Sequence, residues 1–148
     1  MIDTGDTGFM MICSALVLLM TPGLAFFYGG MVRRKNVVNT MMTSIFVIGI
    51  ATVMWVLFGY SLAFGTDHLG IIGDLSHLGF AGLTGKVGEY ASTIPDLGFA
   101  MFQMMFAIIT PALITGAVAG RMKFKALFLF IIFWSTIVYY PMAHMVWG

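Results

Sequence analysis

The sequence predicts an all-α integral membrane protein with four transmembrane helices, and two observations support this prediction. Of the 148 residues, 60% are hydrophobic and only 9% are charged, whereas about 25% of the residues in a typical soluble domain are charged. The charged residues also lie in clusters. The uncharged stretches 7–32, 36–66, 97–120 and 126–148 are each long enough for one membrane-spanning helix of about 20 residues, and none is long enough for two.

The four helices are expected at about 7–31, 38–64, 97–119 and 124–147. The first follows an acidic N-terminus, where a cleaved signal peptide would be basic. The second is followed by the loop 65–95, whose repeated glycines predict irregular structure or one short helix at most. The third begins after Pro95 and the fourth after the basic stretch 121–125. These long runs lack the polar alternation of barrel strands, which excludes a transmembrane β-barrel.

The charges also predict an orientation in the membrane. Six of the seven basic residues lie in the first and third connections between helices: Arg33, Arg34, Lys35, Arg121, Lys123 and Lys125. The positive-inside rule places both connections in the cytoplasm. The N-terminus, the loop 65–95 and Gly148 are then outside, together with all six acidic residues. We therefore expect a multi-pass protein of the cell membrane with its N-terminus outside.

Several classes of function are disfavoured by the composition. The low charge argues against a soluble enzyme, and a net charge of +1 provides no basic face for nucleic acid. The single cysteine, Cys13, cannot form an internal disulfide. His68 and His77 are expected to be solvated loop residues, because no further metal ligands cluster around them. We therefore expect no metal and no cofactor.

The predicted helices contain a stripe of small residues and three prolines. Ala112, Gly116 and Gly120 recur at intervals of four on one face of the third helix. In a membrane, such small residues allow helix backbones to approach closely. Prolines are predicted to interrupt the first, third and fourth helices, because an interior proline removes a backbone hydrogen bond. They are Pro22, Pro111 and Pro141.

Aromatic side chains are the candidate functional groups of the helices. Phe102 and Phe106 are spaced i, i+4 on one face of the third helix, with Phe99 on the same stripe. Helix geometry puts Phe102 about 28 Å from the inner boundary and Trp147 about 33 Å from it. An aromatic cluster at that outer depth is suited to binding a small cation, and Phe106, one turn deeper, is suited to gating. Membrane-interface anchoring by the tryptophan and simple packing of the phenylalanines remain alternatives.

Three stretches closely resemble the ammonium transporter (Amt/MEP/Rh) family: Met20–Arg33, Phe102–Ala117 and Tyr140–Gly148. The resemblance implies an eleven-helix fold with inverted repeats, assembled as a homotrimer, of which this chain is the N-terminal four-helix portion. It implies that Trp147 and Phe102 help to recruit ammonium at the outer mouth, where the ion loses its proton. It also implies that Phe106 is one of two phenylalanines gating an ammonia pore. A cytoplasmic trimeric nitrogen-regulatory signal protein is a further partner that the resemblance implies.

The chain differs from the family in some respects, and two alternative functions remain open. The family's two pore histidines lie beyond the stretch that matches this chain, so the chain alone is expected not to form the pore. His144 belongs to the final matching stretch near the outer surface and is not one of them. Gly120 stands where the family usually has glutamate, and we expect it to extend the stripe of small residues. An ammonium sensor domain and a non-conducting assembly module are the alternative functions.

Overall fold

Four long apolar helices form the molecule, as the charge pattern predicts. The computed structural model describes all 148 residues, and each of the four spans is long and apolar enough to cross a membrane. The spans are Thr4–Met31, Arg34–Phe64, Asp96–Val118 and Phe124–Trp147. The predicted bounds agree with these to within about four residues.

Two of the spans are composite. The second comprises a 3₁₀ turn Arg34–Asn36, helix α2 (Val37–Met54), a π-helical segment Trp55–Gly59 and helix α3 (Tyr60–Phe64). The fourth comprises helix α5 (Phe124–Trp134), a π-helical segment Ser135–Tyr139 and helix α6 (Tyr140–Trp147). The first and third are the uninterrupted helices α1 (Thr4–Met31) and α4 (Asp96–Val118).

The two ends of the bundle differ in charge. The Asp3 amide donates to the carbonyl of Thr93 at 2.9 Å, and His144 is bonded to Asp67. The N-terminus, the loop 65–95 and Gly148 therefore share one end, here called the acidic end, which carries all six carboxylates. The two short basic connections share the opposite end, here called the basic end.

Helices α1 and α4 approach closely at the stripe of small residues. Ala112 is completely buried, and a methyl group added at Gly116 would lie 2.3 Å from Cζ of Tyr28. The Tyr28 hydroxyl crosses this contact and donates to the carbonyl of Leu113 at 2.9 Å. The prediction for Gly120 is wrong: it lies beyond the end of α4 with φ of +70°, so it serves the turn, a conformation that glycine adopts readily.

Of the three prolines, only Pro141 lies at an interruption. Helix α1 continues through Pro22 and α4 continues through Pro111, so the predicted interruptions there are wrong. Pro141 follows the π-helical segment Ser135–Tyr139 and occupies the first turn of α6. At that position a missing N–H is tolerated, because the first turn of a helix has spare donors.

The π-helical segment Trp55–Gly59 packs against Tyr140, the residue that follows the second π-helical segment. A methyl group at Gly59 would lie 2.7 Å from Cζ of Tyr140, so that ring fills the space beside the glycine. Trp55, at 1% exposed, packs its ring 5.8 Å from that of Tyr140 and donates its indole N–H to the carbonyl of Ala100 at 3.1 Å. These contacts join the second, third and fourth spans.

The loop 65–95 is mostly irregular, as predicted, but it also contains a small antiparallel ribbon. Strand β1 (Asp67–His68) pairs with strand β2 (Ile72–Gly73), and one 3₁₀ turn, Leu78–Phe80, follows. The carboxylate of Asp74 closes the ribbon by accepting hydrogen bonds from the amides of Thr66 and Ser76, each at 3.1 Å. The Ser61 hydroxyl of α3 donates to the carbonyl of Asp74 at 2.8 Å, which ties the loop to the end of the second span.

Candidate functional site

The predicted phenylalanine pair lies on α4 near the acidic end. Spacing of i, i+4 brings two rings together on one helix face, and the centroids of Phe102 and Phe106 are 5.1 Å apart at an angle of 77°. This is an edge-to-face pair, a preferred arrangement of aromatic rings. Both side chains are half-buried, so each ring keeps an accessible surface. Phe106 lies one turn deeper than Phe102.

Phe99 does not extend this pair, although it was predicted on the same stripe. Its ring lies 5.2 Å from Phe64 and is stacked on Tyr90 at 5.7 Å with an angle of 10°. The ring of Tyr90 in turn meets Phe64 edge-on at 5.1 Å. Phe99 therefore belongs to a packing cluster that holds the loop 65–95 against the second and third spans.

Trp147 occupies the last position of α6 at the acidic end. It is 51% exposed, and in the structure it has neither a hydrogen bond nor an aromatic partner. The other tryptophan near this end, Trp55, is buried and donates its indole N–H to a carbonyl. The structure therefore brings Phe102 and Phe106 together but leaves Trp147 with its indole ring accessible.

A cavity of about 430 Å³ opens between the loop 65–95 and the ends of the second and fourth spans. Its walls combine aromatic rings with carboxylates, a composition that favours cations. Its lining includes Tyr60, Phe64, Tyr90, Asp67, Asp96 and His144. No local sequence pattern indicates this cavity, because its walls come from three separate parts of the chain.

His144 is the most completely bonded polar side chain in the cavity. It is 4% exposed, with Nδ1 at 3.0 Å from the carbonyl oxygen of Ala63 and Nε2 at 3.0 Å from Oδ1 of Asp67. The hydrogen bond from His144 lowers the pKa of the Asp67 carboxyl below its ordinary value. Sequence reasoning placed His144 near this end of its helix but did not pair it with Asp67.

The two loop histidines have different surroundings. His68 is exposed on strand β1. His77 is half-buried, with Nδ1 at 2.9 Å from the carbonyl of Ala81 and its ring 6.1 Å from that of Tyr60, so this loop side chain is only partly solvated. No group of three or more potential metal ligands is present in the structure.

Comparisons with known proteins agree on one family. The model of the Ammonium Transporter Family matches residues 8–148. An ammonium transporter of Bacillus subtilis is 54% identical over 144 residues, which cover 97% of this chain and 35% of that protein. A putative ammonium transporter of Methanothermobacter thermautotrophicus is 52% identical over 150 residues, covering 100% of this chain and 37% of its own length.

Solved structures extend the similarity to the fold. The crystal structure of Saccharomyces cerevisiae Mep2 superposes with a TM-score of 0.86 at 34% identity, over 99% of this chain and 35% of that chain. Candida albicans Mep2 gives a TM-score of 0.87 at 30% identity, over 99% of this chain and 32% of that chain. The chain thus spans about a third of the length of these proteins.

Proposed function

The chain belongs to the ammonium transporter family, and we propose that it forms part of a protein that carries ammonium or ammonia across the cell membrane. The observation that carries this proposal is the edge-to-face pair of Phe102 and Phe106, at the end of the bundle where all the carboxylates gather. Relatives named as ammonium transporters favour transport over the sensor and assembly-module alternatives.

The proposed orientation puts the acidic end outside and the basic end in the cytoplasm. Lys86 is the only lysine or arginine at the acidic end, against six carboxylates. Such an excess of negative charge raises the local concentration of cations and speeds their arrival. The six basic residues of the opposite end follow the positive-inside rule. Ammonium would therefore be concentrated at the mouth before it meets the aromatic rings.

Recruitment then depends on the exposed ring of Trp147 together with Phe102. An ammonium ion over an aromatic face gains about 0.5–2 kcal/mol from the ring quadrupole, most when the ion is partly desolvated. Phe106 lies one turn below and is proposed to close the path to water.

The apolar length of the spans favours passage of the neutral molecule. A charged group at the centre of a bilayer costs about 3 kcal/mol or more, and the stretch 97–120 that carries both phenylalanines has no charged side chain. Ammonium is therefore proposed to give its proton to water near the mouth, and ammonia to continue, either alone or with the proton crossing by a separate route. Homotrimer formation, and docking of a cytoplasmic trimeric nitrogen-regulatory protein through parts of the protein outside this chain, are further parts of this proposal.

The experiment that tests this function is uptake of labelled methylammonium by the full gene product in proteoliposomes. We expect Phe106→Ala to lower saturable uptake about tenfold or more, corresponding to about 1.4 kcal/mol in the limiting barrier. Phe133→Ala is the matched control, because Phe133 is 61% exposed and has no aromatic partner. Uptake by Phe106→Ala equal to that of both the control and the wild type would contradict the gate assignment.

A further inference from the structure

We propose that His144 and Asp67 form a proton-dependent clamp that positions Trp147, so that the affinity of the mouth for its cation follows the pH of the medium at the acidic end. The clamp consists of these two side chains and the carbonyl of Ala63. The inference rests on the proposed function, because it assigns a regulation to the same recruitment site. His144 acts here as a positioning residue and does not contact the cation.

When Asp67 is ionised, both ring nitrogens of His144 face acceptors. One ring nitrogen faces a carbonyl oxygen and the other faces a carboxylate oxygen, both at 3.0 Å. Neutral imidazole has one N–H and one lone pair, whereas the imidazolium ion has two N–H groups. Only the imidazolium ion donates to both acceptors at once. In the neutral ring, one lone pair would face an oxygen lone pair and that contact would be repulsive.

The clamp is connected to the medium through its carboxylate. The side chain of His144 is 3% exposed, but that of Asp67 is 62% exposed, so protons reach the pair from the acidic end. Other titratable groups lie around the pair, but none hydrogen-bonds His144. They are Tyr60, His68, His77, Glu89, Tyr90 and Asp96.

The clamp fixes the helix turn that carries Trp147. His144 and Trp147 are three residues apart in α6, so they lie close together on the helix surface. Ala63 belongs to α3, and Asp67 belongs to strand β1. Since the side chain of Trp147 has no hydrogen bond or ring partner of its own, the position of its ring follows from the backbone of this last turn. Loss of one clamp bond would therefore displace the ring from the cation.

The test measures the KM for methylammonium against external pH in the full gene product, expressed per protonated substrate. In the wild type we expect KM to rise about tenfold as the imidazolium loses its proton, because a hydrogen bond between charged groups is lost. We expect His144→Gln to have the raised KM at every pH with kcat unchanged. His68→Gln, a substitution at an exposed neighbouring histidine, should keep the wild-type profile.

Asp67→Asn is the variant that distinguishes the effect of losing the carboxylate charge from the effect of losing the fold. Its side chain is exposed, and the amide of asparagine supplies an N–H that can donate to the lone pair of a neutral ring, so the fold is expected to persist. A neutral histidine then satisfies both partners, and we expect the rise of KM with pH to disappear. A pH profile identical to that of the wild type in both Asp67→Asn and His144→Gln would overturn the clamp.

A double-mutant cycle with Trp147→Leu tests whether the effect passes through the ring. Coupled residues give effects that do not add, so we expect His144→Gln to raise KM no further in the Trp147→Leu background. Full additivity would refute positioning of Trp147. If the wild type takes up no methylammonium, the proposed function fails. The clamp is then judged by amide exchange of residues 140–148, and equal protection in the wild type and Asp67→Ala would refute it.

Discussion

The contact between Gly116 and Tyr28 provides a sharp test of how the helices pack. Gly116→Ala would add a methyl carbon 2.3 Å from Cζ of Tyr28, against the 3.4–4 Å of an ordinary contact. The ring must therefore retreat by more than 1 Å. Its hydroxyl donates to the carbonyl of Leu113 at 2.9 Å, so a movement of that size also breaks the hydrogen bond.

The expected loss of stability has two parts. Overpacking a close contact typically costs about 1–3 kcal/mol, and a lost hydrogen bond costs about 0.5–1.5 kcal/mol. We expect Gly116→Ala to reduce the free energy of unfolding by about 2–4 kcal/mol. Gly49→Ala is the matched control: that glycine lies inside α2, and a methyl group there meets nothing within 4 Å. Its substitution should be neutral or slightly stabilising.

The assay is thermal unfolding of the purified full gene product in detergent, followed by size-exclusion chromatography of the folded fraction. Tyr28→Leu combined with Gly116→Ala should recover part of the loss, because the smaller side chain relieves the clash. If Gly116→Ala unfolds at the same temperature as Gly49→Ala, the close approach of α1 and α4 is not the stabilising contact inferred here.

Two further predictions concern single hydrogen-bonding groups. Trp55→Phe removes the indole donor to Ala100 and should lower the free energy of unfolding by about 2 kcal/mol, whereas Trp134→Phe, a half-buried ring without a hydrogen bond, should cost less in the same thermal assay. Hydrogen bonds from the Ser76 side chain and amide lower the pKa of Asp74 below 3.8, so this carboxylate stabilises the loop above that pH and the effect is lost as pH falls through the lowered value. Asp74→Ala should therefore speed amide exchange of residues 66–76 at neutral pH, and equal exchange rates would contradict the role of this carboxylate.

The positions of the four spans could be predicted because they depend on a property of single residues. A charged side chain is excluded from hydrocarbon wherever the chain runs, so the charge clusters mark the ends of the helices without knowledge of their neighbours. The stretch after Lys125 shows this well, since its predicted bounds of 124–147 match the span Phe124–Trp147. Which helices touch could not be read from the same pattern.

The π-helical segments were not predicted from the sequence, and the first of them lies at a contact between distant residues. The extra residue in Trp55–Gly59 lies where Tyr140 occupies the space beside Gly59. Nothing within the second span identifies Tyr140, which is 81 positions further along the chain. Helix periodicity indicates the local turn and does not identify such a distant contact.

One part of the candidate site could likewise be predicted from the sequence, and the other part could not. Phe102 and Phe106 could be paired from sequence, because spacing of four residues in a helix is enough to bring two rings together. Phe99 has similar spacing but turns to Phe64 and Tyr90, since the loop 65–95 covers that part of α4. The partnership of His144 with Asp67 joins residues 77 apart, and no local pattern indicates it.

Burial separates the aromatic residues that hold the acidic end together from those available to a substrate. Trp55 is 1% exposed and its indole N–H is bonded, whereas Trp147 is 51% exposed and its indole N–H is free. The backbone under Trp147 is nevertheless fixed by a buried histidine with two hydrogen bonds. An anchor that only marks a membrane interface has no need of such a support, because interfacial tryptophans are held by the headgroups themselves. An accessible ring on a fixed turn is compatible with the cation-binding role that we propose for Trp147.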